Sequence, residues 1–280
     1  MPNFYFSRFR LNKDFKSYYD KTIAVYASID GKFNFEYRKD FFKFVDMDLI
    51  KEESESYIIG RIVKYKFEHP QKVIEDNSNT ITEVVVKNKI LAASKFIIKA
   101  EEGLIIFEEI SSYIPKDTFP KIFEELFKKH NQDGLEISIS PITDENVFFT
   151  RIKEVKKVKK IVISLVPSNP DNRDIWKKMD EKLKDENVTH YKEVLENKSP
   201  DGSITIDKET ESKFFMSEDG YGKSTVQGLD DNNELITIST KDADKHTKKR
   251  ISFDTDDIRF YIGQLKSKVT EIINRTKKNN

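Results

Sequence analysis

The residues whose types and spacing could do chemistry are Asp171, Glu196 and Lys198. Pro170-Asp171 followed by Glu196-Asn197-Lys198 supplies two carboxylates and a lysine. In such a set the carboxylates hold Mg²⁺ and the lysine orients the attacking water for phosphodiester hydrolysis. The same residues have a plainer reading. An acid and a lysine two apart arise readily by chance in a chain that is 35% charged, and Asn169-Pro170-Asp171 also reads as the capped start of a helix.

A second candidate is Gly220-Tyr221-Gly222-Lys223-Ser224-Thr225, which ends like a phosphate-binding loop. Its leading glycine would fall at 217, which is Ser217, and the residues after it read as a strand where phosphate binding needs a helix N-terminus. A glycine turn between helix and strand accounts for the segment. His69, His130, His190 and His246 are too far apart for a local zinc helix. Asp242-Ala243-Asp244 and Asp254-Thr255-Asp256 lack the glycine and glutamate of a calcium loop and read as turn and cap acids. There is no cysteine, which removes thiolate nucleophiles, disulfides and Cys-ligated metals together.

Clustered cations are the third candidate. Arg151, Lys153, Lys156, Lys157, Lys159 and Lys160 surround the single acid Glu154, and Lys248, Lys249 and Arg250 form a second cluster. Such groups can contact phosphates without reading bases. Against this, 49 Lys and Arg balance 49 Asp and Glu, so no bulk field draws in a polyanion, and a solvated face explains a charge run equally well.

These residues must be positioned by a core made from few apolar groups. The 280 residues are 37% hydrophobic and 12% aromatic, with 21 Phe. Large rings let a small apolar count fill an interior. No apolar run approaches the ~18 residues of a spanning helix, and the start of the chain alternates aromatic with polar groups, which is not an export signal. The expectation is a cytosolic protein with no membrane association.

Period-two alternation predicts strands at Phe4 to Leu11, around Phe33, Phe35 and Tyr37 after an Asp30-Gly31 turn, and from Tyr57 to Phe67, stopped by His69-Pro70. Lys95–Lys99 and Leu104–Glu108 form a hairpin through 100–103. A helix capped by Asp117 or Thr118 buries Phe119, Ile122, Phe123, Leu126 and Phe127. A strand over Leu135, Ile137 and Ile139 and a helix through Phe148 and Ile152 follow. In the second half, Ile161–Val166 is a strand, and a helix from Asp171 or Asn172 carries Ile175, Trp176, Met179 and Leu183. Ser203–Ile206 pairs back after the Ser199–Gly202 turn, and Asp207 opens a helix through Phe215. A hairpin turns at 230–233, and the last helix buries Ile258, Ile262, Leu265, Val269 and Ile272 before a fraying tail from Arg275. Hairpins and helices in this order predict an α+β protein of two small sheet-plus-helix units, residues 1–157 and 158–280. Each holds an antiparallel or mixed sheet with helices on one face.

Three segments carry a family resemblance: Leu91 to Glu109, Pro167-Ser168-Asn169-Pro170-Asp171, and Gly220-Tyr221-Gly222 leading to Gly228. In them the chain resembles the uncharacterised prokaryotic family known as domain of unknown function 4747. The resemblance implies a two-part α+β protein without assigned catalytic residues, and such families are often associated with phage resistance. Without a Cys nucleophile, a complete phosphate loop or a local His cluster, the leading expectation is a non-catalytic binding or sensing component of an anti-phage system. It would need no cofactor, and its partner would be a protein or nucleic acid, with room for a homo-oligomer. The alternative is a metal-dependent nuclease of the PD-(D/E)xK type, using Mg²⁺ on Asp171 and Glu196 with Lys198.

Overall fold

The computed structural model describes residues 1–29, 33–52, 55–75, 80–131, 134–144, 147–168, 173–241 and 246–276. The chain begins with β1 (Asn3–Leu11), α1 (Tyr18–Ala27), β2 (Phe35–Tyr37), β3 (Asp40–Glu52), β4 (Glu55–Glu75), β5 (Thr80–Lys99) and β6 (Leu104–Glu108). It continues through α2 (Phe119–His130), β7 (Ile137–Pro141), α3 (Val147–Ile152), β8 (Lys157–Leu165), α4 (Lys177–Asp185) and β9 (Tyr191–Glu196). The last elements are α5 (Lys208–Met216), β10 (Gly222–Leu229), β11 (Leu235–Ser239), β12 (Lys248–Arg250) and α6 (Ile258–Thr276).

The class is α+β, and the described strands pair antiparallel throughout. One sheet runs β12-β1-β6-β5-β4-β3-β2, with β7 also on β1; the other runs β11-β10-β8-β9. Strand β8 is the first of the second sheet in chain order, while β12 and α6 return to the first.

Alternation sends neighbouring residues to opposite faces, and both faces of the first sheet are covered by helix. Tyr5, Phe9, Phe96 and Phe107 pack under α2, where Phe107 stacks on Phe119 with ring centroids 4.1 Å apart. Phe4, Phe6, Ile97 and Ile106 pack under Ile258, Ile262, Leu265 and Val269 of α6. Helices on one face only is therefore corrected: these strands are apolar at consecutive positions, the pattern of a sheet buried on both sides. The second sheet buries Ile161, Ile163 and Val226 against Trp176, Met179, Leu183 and Phe214.

Several local expectations change. The Asp30-Gly31 turn lies outside the described residues. The hairpin that follows turns at Arg38 and Lys39, whose φ values of 51° and 68° are those of a two-residue hairpin turn. Pro70 does not end β4, which continues to Glu75 with Pro70 opposite Val85. Beyond Tyr65 no residue of β3 pairs with β4, so among the described residues the proline sits on an open edge, where its missing N–H costs nothing. Helix α4 begins at Lys177, after Trp176 at its N-cap, not near 171. Ser203–Ile206 is not a strand; Ile204 N–H donates to Val158 O at 2.8 Å, and Ser203 Oγ accepts from Val158 N–H.

Candidate functional site

Glu196 closes β9, at the edge of the second sheet. It pairs with Lys160 at 3.4 Å and Lys198 at 3.5 Å, and the two ammonium groups, Lys160 foremost, hold its carboxyl below the ordinary range. Lys198 is 86% exposed. Asp171 lies outside the described residues. Among the described residues no three His, Asp or Glu side chains converge as metal ligands.

The basic residues are distributed over separate elements, and several are engaged by the chain itself. Lys156 pairs with Asp231 at 3.4 Å and Lys157 with Asp201 at 3.6 Å. Lys159 Nζ donates to the carbonyls of Ser199, Pro200 and Gly202 at 2.8, 2.9 and 2.5 Å, and so ties down the turn at 199–202. Arg151 lies in the last turn of α3 and Lys153 just beyond it is exposed. On β12, Lys248 and Arg250 are exposed, whereas Lys249 Nζ donates to Gln264 O at 2.6 Å and Ser267 Oγ at 3.1 Å on α6.

A buried polar junction joins the two sheets. Between α5 and β10 the chain makes a single π turn, Ser217–Tyr221, in which Gly220 takes a φ of 90°. A Cβ there would stand 2.6 Å from Cγ of Arg8 on β1, so glycine is required on two grounds. Asp219, fully buried, accepts from Arg275 Nε at 2.6 Å and Trp176 Nε1 at 2.8 Å, with Arg173 at 3.3 Å. Burial pushes the neighbouring Glu218 carboxyl up to about 7, although Phe148 N–H donates to it at 2.8 Å. Because Gly222 opens a strand, segment 220–225 is the glycine turn and no helix begins there.

Along one edge β1 passes from β12, paired at Asn3–Tyr5, to β7, paired at Ser7–Leu11. Beside that transfer lies a cleft of about 440 Å³, lined by Ser7, Lys116, Lys121, Glu124, Lys241 and His246 among others. Burial raises the Glu124 carboxyl, which accepts from Ile139 N–H at 2.6 Å. The cleft mixes both signs of charge with apolar wall from Tyr5, Phe107 and Ile139.

The ribbon of β4 and β5 runs on past the strand that flanks β4. Their register continues from Lys66 opposite Lys89 to Glu75 opposite Thr80, past the last pairing with β3. This is an arm of about 30 Å at ~3.3 Å per residue. Its exposed apolar side chains include Phe67, Ile74, Ile81, Val84 and Val85, with Ile74 and Ile81 opposite one another and 70% and 71% exposed.

Residues 9–267 match the family model described as Domain of unknown function (DUF4747). The chain belongs to the DUF4747 family. The match runs from β1 into α6 and so takes in both sheets. No curated protein matches the sequence. In this DUF4747 member, Leu91 to Glu109 is the β5–β6 hairpin and Gly220-Tyr221-Gly222 is the inter-sheet turn, while residues 169–171 of the third segment lie outside the described residues. Sequence reasoning missed Glu218, Asp219 and Arg275 as a unit. The available signal was two adjacent acids between Met216 and Tyr221, inside an aromatic run. For the arm the signal in the sequence is Val84-Val85-Val86, which lies beyond a proline that stops a strand only inside a sheet.

Proposed function

We propose that this DUF4747 protein is a non-catalytic, cytosolic binding component of a bacterial anti-phage system, and that the arm makes its contact with a protein partner. The arm carries the reading. A two-stranded ribbon is marginal by itself in water, yet this one exposes isoleucines, valines and a phenylalanine to solvent. Contiguous exposed apolar groups of this kind mark interaction surfaces. Its charges alternate: Lys72 stands opposite Glu83 and Glu68 opposite Lys87, which favours a protein over a polyanion. The anti-phage setting follows from what membership of such a family implies. No helix among the described residues is long and apolar enough to cross a membrane.

Lysine-reactive cross-linking of the full chain in phage-infected and uninfected cells, read by mass spectrometry, tests the proposal. Cross-links from Lys66, Lys72, Lys87 or Lys89 to another polypeptide chain are expected. Cross-links to partners made only from lysines outside the arm would overturn it.

A further inference from the structure

The two edges of the arm are not equivalent. On the β4 edge, Pro70 interrupts the row of N–H donors, one of the devices by which natural sheets discourage edge pairing. On the β5 edge no proline stands between Thr80 and Lys99. Its run Ile81-Thr82-Glu83-Val84-Val85-Val86-Lys87 is rich in β-branched residues, which favour an extended chain. No strand pairs with this edge among the described residues until β6 joins it at Phe96. Pro70 also sets the orientation. It stands opposite Val85, and because it has no N–H to give, the ladder stays whole only where that pair is a non-hydrogen-bonded one. The N–H and C=O of Val85, and those of Glu83 and Lys87 two residues to either side, then face the open edge.

Charge along this edge is arranged symmetrically. Glu83 and Lys87 lie equal distances on either side of Val85. If two such edges pair antiparallel about a two-fold axis through Val85, Glu83 of each copy falls opposite Lys87 of the other, and Val84 opposite Val86 on the other face. Opposite charges and β-branched pairs directly across an antiparallel ladder are both favourable, and a self-complementary patch is what a two-fold dimer requires. Resting on the reading of the arm as a binding surface, we propose that its partner is a second copy of this chain, joined edge to edge along β5 so that two arms form one four-stranded sheet.

Substitutions that keep each arm's own charge pairs test this. In K72E/E83K the internal pair is exchanged and preserved, but position 83 now repels Lys87 of the other copy. In E68K/K87E the internal pair is again preserved, but position 87 repels Glu83 of the other copy. Sedimentation of the full chain over a concentration series is expected to show a dimer for the unaltered protein and a monomer for each double variant. The two variants mixed in equal amounts are expected to restore the dimer mass as a heterodimer, and the quadruple variant E68K/K72E/E83K/K87E to restore it alone. An unaltered chain that stays monomeric, double variants that still dimerise, or a mixture that does not associate would each overturn the proposal. Cross-links from arm lysines to a different protein would in those cases leave the arm's role in binding standing.

Discussion

Arg275, in the last turn of α6, donates from Nε to the carboxylate of Asp219 at 2.6 Å, and Asp219 is wholly buried. Through this bond the helix that covers one face of the first sheet holds the turn that opens β10 of the second. Arg275 also reaches the carbonyls of Thr143 at 3.0 Å and Glu218 at 3.2 Å, so one guanidinium satisfies three acceptors. The fraying tail expected from Arg275 onward is therefore corrected at its first residue: a side chain 9% exposed and bonded this way is part of the interior.

Removing one partner of a buried pair leaves the other charged and desolvated, at a cost of about 3–5 kcal/mol. Arg275→Ala is expected near the lower end, because Trp176 and Arg173 still donate to Asp219. Urea unfolding checks it. A loss below ~1 kcal/mol would mean that α6 is not fastened to the second sheet through this residue.

Glu218 gives the chain a pH dependence of opposite sign to that of a paired surface acid. Its carboxyl titrates near 4.5 when unfolded and about 7 when folded. Between those values the folded chain holds a proton that the unfolded chain has lost, so stability falls as pH rises through the window. At about 1.4 kcal/mol per pH unit, the full penalty above the folded value is at most roughly 3–4 kcal/mol. Glu218→Gln keeps an acceptor for Phe148 N–H and removes the titration. The stability difference between the two proteins is expected to grow from pH 5 to about 8 in favour of the glutamine variant. Burial raises Glu108 and Glu124 as well, but both are common to the two proteins and cancel in the difference. A flat difference would refute the assignment.

What was legible in the sequence were elements whose chemistry is local. Asp207 caps α5 by accepting from Thr210 N–H, and α2 and α6 announce their buried stripes by spacing alone. The hairpin turns at 100–103 and 230–233 carry the residues such turns need. What was not legible depended on which edge or layer a segment meets. Pro70 stops a strand inside a sheet and is harmless on an open edge, and its own sequence does not say which it faces. Nor does Arg275, in a run of polar residues, reveal that a carboxylate 56 positions earlier waits beneath it. The spacing of Glu196 and Lys198 likewise does not reveal that Lys160, from the adjacent strand, also engages the carboxylate.

Gly222 is where the turn after Asp219 meets β8. A Cβ at this position would overlap the carbonyl oxygen of Ser164 and stand 2.9 Å from Leu165 Cα, both on the backbone of the paired strand. Backbone cannot step aside as a flexible side chain can, so Gly222→Ala is expected to cost at least the upper part of the ~1–3 kcal/mol range typical of overpacking. At Gly134, whose φ is 72° but which has nothing within 4 Å of the added atom, the same change is expected to cost only about 1 kcal/mol. Denaturation midpoints of the two variants, compared side by side, decide it; equal losses would mean that β8 and β10 do not approach as described.

Internal partners limit how many of the clustered cations can meet a nucleic-acid backbone. Lys156, Lys157 and Lys160 face carboxylates, Lys159 holds the 199–202 turn, and Lys249 is bonded to α6. Exposed candidates for phosphate contact are then Lys153, Lys248 and Arg250. Each neutralised phosphate of a duplex contributes about −0.9 to the slope of log affinity against log salt. Any binding to a short duplex, followed by fluorescence anisotropy across a salt series, is therefore expected to show a slope no steeper than about −3. Lys159→Ala is expected to leave that slope unchanged while lowering stability by about 1 kcal/mol, since its ammonium bonds three backbone carbonyls of the 199–202 turn. A slope of about −6 or steeper would mean that the internal pairs open to receive phosphates. The basic segment at 151–160 would then be a nucleic-acid surface, despite the internal partners it has in the free chain.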